Sequence, residues 1–237
     1  MNTVVITGAS RRLGLYLTQA FLEQGCKVIA LTRKASAELD ALACENLQIL
    51  LTDYRCETSL AAAADCIRKQ YETLSLVVHN ASLFEKDAAH KDDLCAFYDE
   101  LYRVHMRLPA YLNEALQPLL YNEAHPGCIV HITDIYADNP NREFGLYCST
   151  KAALDNLTKT FAKKYAPGIR VNSIAPGPLM FLPSHKEDEK KAVLEQTLLP
   201  GESGFEPILQ GIRFILDNQF VTGSSIKIDG GRSIGKI

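Results

Sequence analysis

At 237 residues, with 47% hydrophobic and 22% charged content, the chain can bury one sizeable core, and one α/β domain over residues 1–237 is the expectation. A formal net charge of −3, with basic residues scattered between acids, excludes a surface built to neutralise phosphodiester backbones, so no nucleic-acid partner is expected. The opening "MNTVVITG" leaves no room for a charged and then apolar leader, and no later apolar run approaches membrane-spanning length. Both features point to the cytoplasm and to no membrane partner.

Short β-branched runs then alternate with helical patterns. "TVVIT" (3–7) passes through "ITGASRRLG" into a helix whose Leu13, Leu17 and Phe21 recur at helical spacing until Gly25. Gly8 permits a tight turn, Gly14 lets helix and strand approach, and the free amides at the helix start suit a pyrophosphate. An ordinary turn would carry the same glycines. "KVIAL" (27–31) ends in Thr32, Arg33 and Lys34, where an NAD-binding chain places an acid for the ribose hydroxyls. Arg33 and Lys34 offer charge-assisted donors to a 2′-phosphate, so the expected cofactor is NADP; a solvated basic pair is the competing reading. "LQILL" (47–51) precedes Asp53, an acceptor for an adenine amino group or, less well given the spacing, a cap for the next helix.

Thr58 to Tyr71 reads as an amphipathic helix, "LSLVVH" (74–79) as a strand, and Asp92 to Asn122 as a long helical stretch that Pro109 kinks or divides. "CIVHIT" (128–133), "IRVNSI" (169–174) and "SIKI" (225–228) bring the strands to about seven. Near-continuous apolar strands joined by helical crossovers describe a single-domain, doubly wound parallel sheet with helices on both faces. The irregular segment from Gly177 to Gly204, with "HKEDEKK" inside it, reads as a flap over a site or as a solvated excursion. Seven cysteines, an odd number with no CxxC, sit mostly in apolar patterns and read as buried free thiols; no metal site is expected.

Within "TDIYADNPNREFGLYCSTK", Tyr147 and Lys151 stand four residues apart, on one face of a helix. A nearby ammonium stabilises a phenolate, so Lys151 is expected to lower the Tyr147 pKa.

These motifs together resemble the short-chain dehydrogenase/reductase family over essentially the whole chain: "TGASRRLG", "HNAS" (79–82), "YCSTK" (147–151), "APG" (175–177) and the tail "VTGSSIKIDGG". Three departures are similar to the pteridine reductase branch, and among its members to the bacterial enzymes that reduce dihydromonapterin. Arg12 replaces the middle glycine of the turn, Asp134 replaces a serine, and Phe84 follows "HNAS". The resemblance implies a Rossmann fold and a catalytic set of Asp134, Tyr147 and Lys151, with Lys151 also donating to the nicotinamide ribose. It implies a cofactor site drawn from Gly8, Ser10, Arg11, Arg12, Leu13, Gly14, Arg33, Lys34, Asp53, Tyr54, Asn80, Ala81, Ser82, Tyr147, Lys151, Pro176, Gly177 and Leu179. It further implies a homotetramer formed through the two long helices, including 147–166. The stripe Leu154, Leu157 and Phe161 would serve that contact or equally the monomer's own core. His105 stands about where the family's helix asparagine would, as a structural hydrogen-bonding group or a proton relay.

Reducing a ketone calls for a neutral hydroxyl donating to the carbonyl oxygen, a task an ionised carboxylate cannot perform. Reducing C=N calls instead for a proton at a ring nitrogen and for acceptors opposite the ring's own N–H groups, which suits Asp134 beside Tyr147; a loop-capping role is the alternative. Phe84 would stack on a flat heteroaromatic ring, or be plain core, and Arg12 would bridge phosphate and ring. Arg12, Phe84, Asp134 and Tyr147 thus form the expected pterin site. Met180, Phe181 and Leu182 would close over the substrate side chain. The expected activity is NADPH-dependent reduction of dihydropterins, dihydromonapterin foremost and dihydrofolate more weakly; a carbonyl reductase and a silent NADP-binding regulator are the alternatives.

Overall fold

The computed structural model describes residues 2–181, 186–199 and 201–235. Seven strands, β1 (Thr3–Thr7), β2 (Lys27–Thr32), β3 (Leu47–Leu51), β4 (Leu76–His79), β5 (Gly127–Ile132), β6 (Ile169–Pro176) and β7 (Ser225–Ile228), pair entirely in parallel in the order β3-β2-β1-β4-β5-β6-β7. The chain winds outward from β1 in one direction and from β4 in the other, so the crevice at their carboxyl ends is a topological switch point.

Helices cover both faces, which is why the central strands are apolar without alternation. On one face α1 (Arg12–Glu23) and α8 (Glu206–Asp217) bring Leu17, Phe21, Ile212 and Ile215 onto Val4, Ile6, Val28 and Val130. On the other, α3 (Glu57–Gln70), α5 (Leu108–Leu120) and α6 (Gly145–Tyr165) set Leu60, Leu112, Leu116 and Phe161 against Val5, Ile29, Val77 and Ile129. Successive strand residues thus serve opposite layers. Short α2 (Ala37–Asp40) and peripheral α7 (Glu187–Glu195) complete the set.

The stretch expected as one proline-interrupted helix is α4 (Leu94–Tyr102) and α5 joined by a π-helical turn over Arg103–Arg107. Pro109 has no N–H for the carbonyl four residues back, that of His105, and the wider turn takes up the mismatch just before the proline.

One expectation is corrected here, and one pair of alternatives is narrowed. Only Cys26, Cys128 and Cys148 are buried; Cys44 and Cys56 lie exposed in the connections either side of β3, Cys95 is exposed at the start of the helix Leu94–Tyr102, and Cys66 is half-buried on α3. The α6 stripe faces inward: Leu154 and Phe161 are buried and Leu157 packs on the same core, so it is spent on the chain's own sheet. Among the described residues no helix is long and apolar enough to cross a membrane, and no group of three His, Cys, Asp or Glu side chains is placed to hold a metal.

Candidate active site

The glycine turn sits at the switch point. Gly8 has a positive φ of 68°, and a Cβ there would lie 2.8 Å from Ala81 Cα; a Cβ on Gly14 would lie 2.1 Å from the Gly8 carbonyl oxygen. Both positions therefore require glycine. Asn80 fixes the turn from β4, its Nδ2 donating to the carbonyls of Thr7 (3.2 Å) and Gly8 (3.1 Å), while the amides of Asn80 and Ala81 donate to Thr7 Oγ1. Ser36 donates to the Ser10 carbonyl and accepts from Leu39, clasping the turn to the segment after β2. These residues make a cradle of the kind a dinucleotide phosphate needs, at the start of α1 with exposed Arg11 beside it.

Two expected cofactor residues act from beneath. Tyr54 is buried; its hydroxyl donates to the Leu31 carbonyl at 2.7 Å and accepts from Gly8 N–H at 3.0 Å, and burial pushes its pKa up to about 12. Its side chain props the turn. Leu13 likewise gives its side chain to the core, leaving only its backbone for a phosphate. Asp53 is engaged by Arg55, which holds its carboxyl below the usual range. Arg33 and Lys34 are exposed beyond β2, and Arg33 reaches Glu100 at 3.4 Å.

Arg12 keeps the left-handed conformation of the glycine it replaces, with φ of 51°. An L side chain there costs roughly 1 kcal/mol, so the side chain must compensate. Its Nη2 donates to the Met180 carbonyl at 2.7 Å, and its guanidinium lies 5.9 Å from the Phe205 ring centroid. The turn is thereby tied to the segment after β6, where Gly177 N–H donates to Ile228 and the Leu179 carbonyl accepts from Gly204. Gly177 is required as well, since a Cβ would lie 2.7 Å from Asp229 Cα; Pro176 ends β6 directly before it. Phe181 N–H donates to Glu202, and Leu182 lies outside the described residues.

At the carboxyl end of β5, Asp134 reaches both a capping partner and Tyr147. One oxygen accepts from Tyr136 N–H at 2.9 Å and caps a short turn; the other accepts from the Tyr147 hydroxyl at 2.8 Å. Burial raises the Asp134 pKa, an effect reduced by the Tyr136 and Tyr147 hydrogen bonds and by the charges of Lys151 and Arg232. The expectation for Tyr147 is overturned: burial, then the Asp134 charge and hydrogen bond, push its pKa well above 10. Lys151 is one turn away, its Nζ 5.6 Å from the ring centroid and donating to the Ile132 carbonyl at 2.9 Å, whereas the carboxylate touches the hydroxyl. Burial lowers the Lys151 pKa to about 8.

Phe84 is not plain core: it is 51% exposed, stacks on Phe144 at 4.3 Å between centroids and meets Tyr147 edge-on at 4.8 Å. His105, delivered by the π turn, is buried and neutral. Its Nε2 accepts from Leu83 N–H, so Nδ1 carries the proton and donates to Thr150, whose hydroxyl donates to the Tyr147 carbonyl. Ser82 Oγ lies 3.0 Å from the same Nε2 and also near the Tyr147 hydroxyl, closer to the tyrosine than a purely cofactor-binding role implies. His131 and His79 flank Asn113 in a buried chain, as structural histidines. Sequence reasoning missed Phe144, Tyr136 and Arg232, which line the same side. A cation directly behind the tail's two glycines was the available signal.

Residues 2–191 match the short chain dehydrogenase profile. Dihydromonapterin reductases of Klebsiella pneumoniae and Escherichia coli are 32% and 33% identical over 234 residues, spanning 98% of this chain and 96% of theirs. The FolM alternative dihydrofolate reductase 1 of Brucella suis, solved with NADP, superimposes with a TM-score of 0.86 at 27% identity over 100% of this chain and 96% of that one. A 4-hydroxyisoleucine dehydrogenase shares the fold at a TM-score of 0.87 and 24% identity, with full coverage of both chains. The chain belongs to the short-chain dehydrogenase family of oxidoreductases.

Proposed function

We propose that the protein is an NADPH-dependent reductase of 7,8-dihydropterins, dihydromonapterin foremost and dihydrofolate more weakly, saturating a C=N bond of the ring. The observation that carries this reading is the 2.8 Å hydrogen bond from Tyr147 to Asp134 beside the exposed face of Phe84. The names of the relatives and of the Brucella suis neighbour support it.

When bound, the reduced nicotinamide supplies the hydride. Phe84, backed by Phe144, offers a flat apolar face to the pterin and holds it beside Tyr147. As the ring nitrogen gains basicity, Tyr147 gives it the hydroxyl proton, and Asp134 returns a proton to the tyrosine from solvent. The raised pKa on both oxygens keeps that proton in the pair at neutral pH. Lys151 contributes two N–H groups beyond the one given to Ile132, toward the cofactor ribose. Arg33 and Lys34 supply the charge that selects a 2′-phosphate, with the Asn80-braced turn and Gly177 along the cofactor. Residues 177–181, held to the turn by Arg12, lie over the substrate. A homotetramer belongs to the same proposal; exposed Leu94, Tyr98, Tyr102 and Tyr111 on α4 and α5 offer an apolar face for it.

The test is NADPH oxidation by the wild-type protein with a dihydropterin, dihydrofolate and an acetoacetyl ester. Turnover of the pterins is expected; turnover of the ester alone makes the protein a carbonyl reductase, and turnover of none a silent binder.

A further inference from the structure

A row of stacked side chains leads away from the Asp134–Tyr147 pair. Phe84 stacks on Phe144 at 4.3 Å, Phe144 on Tyr136 at 6.5 Å, and the Arg232 guanidinium lies over the Tyr136 ring at 5.6 Å. At that end is a recess of about 160 Å³ lined by Ile135, Tyr136, Asn139, Asn141, Gln196 and Arg232. No acid lines it.

The hydrogen bonds around the recess engage the side-chain oxygens of Tyr136, Gln196 and Asn141. Arg232 Nη2 donates to Tyr136 Oη at 3.3 Å and to Gln196 Oε1 at 3.1 Å, and Asn141 Nδ2 donates to the same Tyr136 oxygen at 3.2 Å. Asn141 Oδ1 accepts from Glu143 N–H at 2.9 Å. With two bonds accepted at its oxygen, Tyr136 has its own hydroxyl proton left to give; Gln196 has its amide hydrogens left, and Arg232 the rest of its fork. A guanidinium beside a phenol O–H and amide N–H donors favours an acceptor-only, negatively charged group.

Resting on the pterin reading above, we propose that this recess binds an anion, a carboxylate or a phosphate, carried on a flexible arm by the substrate whose ring lies against Phe84. Two ring-to-ring steps, 4.3 and 6.5 Å between centroids, separate Phe84 from Tyr136 through Phe144, so the arm spans several atoms.

The test compares wild type, Arg232→Gln and Arg232→Lys with three dihydropterins: one with a neutral hydroxylated side chain, dihydrofolate with its carboxylates, and one with a side-chain phosphate ester. For at least one charged substrate, Arg232→Gln is expected to lower kcat/KM about tenfold relative to the neutral one, through KM, with Lys restoring part of it. The two charged substrates tell which anion is recognised. An equal loss with all three, or a loss in kcat with a displaced pH profile, overturns the proposal and makes Arg232 a residue acting through Asp134. If the wild type reduces all three and their ratios survive the substitution, this inference alone falls; if it reduces none, the functional reading falls with it.

Discussion

The Tyr147 hydroxyl donates to Asp134 Oδ2 at 2.8 Å, and burial raises the proton affinity of both oxygens. The tyrosine is therefore a guarded proton donor in the ligand-free protein, with the carboxylate one of the causes. Replacing Asp134 by Ser should bring the Tyr147 pKa down toward 10, since the carboxylate's charge and hydrogen bond both raise it. Ultraviolet difference titration of phenolate formation, with Tyr147→Phe as the blank, measures the change; an unmoved midpoint would show that burial alone sets it.

Phe84 has one exposed face, and Phe144 supports the other. Phe84→Ala should raise the dihydropterin KM by about tenfold, the worth of one aromatic stacking contact, and leave the Kd for NADPH within about twofold. Equal losses in both constants would mean that the substitution disturbs the site as a whole.

Arg33 and Lys34 lie on the surface beyond β2, with no acid in the position that NAD-binding chains use. Removing both charges in Arg33→Ala/Lys34→Ala should weaken NADPH at least tenfold and NADH hardly at all. Fluorescence titration with each nucleotide checks this, and parallel losses for the two would remove the claim of 2′-phosphate recognition.

Lys151 carries a pKa lowered to about 8 by burial. The sign follows from linkage: between about 8 and the ordinary value of 10.5 the unfolded chain holds more protons at this site than the folded one, so this group's contribution to stability rises with pH across that window. The Tm of wild type relative to Lys151→Met should accordingly climb from pH 8 to pH 10.5, which calorimetry at a series of pH values resolves. A flat difference would mean that the amine is not shifted.

The strands were legible because a sheet covered on both faces writes itself as apolar runs, and the glycine turn because Gly8 and Gly14 meet backbone at distances no side chain allows. Arg12 was legible as a departure but not as a strained one, since φ is not written in residue type. The π turn at His105, the inward role of Tyr54 and the direction of the Tyr147 shift all depend on packing between distant segments. The Arg232 recess is the extreme case, joining residues 96 positions apart at Tyr136. The cysteines misled because Cys44 and Cys56 lie in the connections either side of β3 and Cys95 at a helix start.

The central claim is that Asp134 serves proton delivery to a ring nitrogen through Tyr147. Steady-state NADPH oxidation with a dihydropterin, by wild type and by Asp134→Ser at matched cofactor saturation, tests it most directly. The account predicts a fall in kcat of about a hundredfold, within the range for removing a positioned acid–base group, with NADPH affinity retained. Undiminished pterin turnover by the serine variant would contradict it.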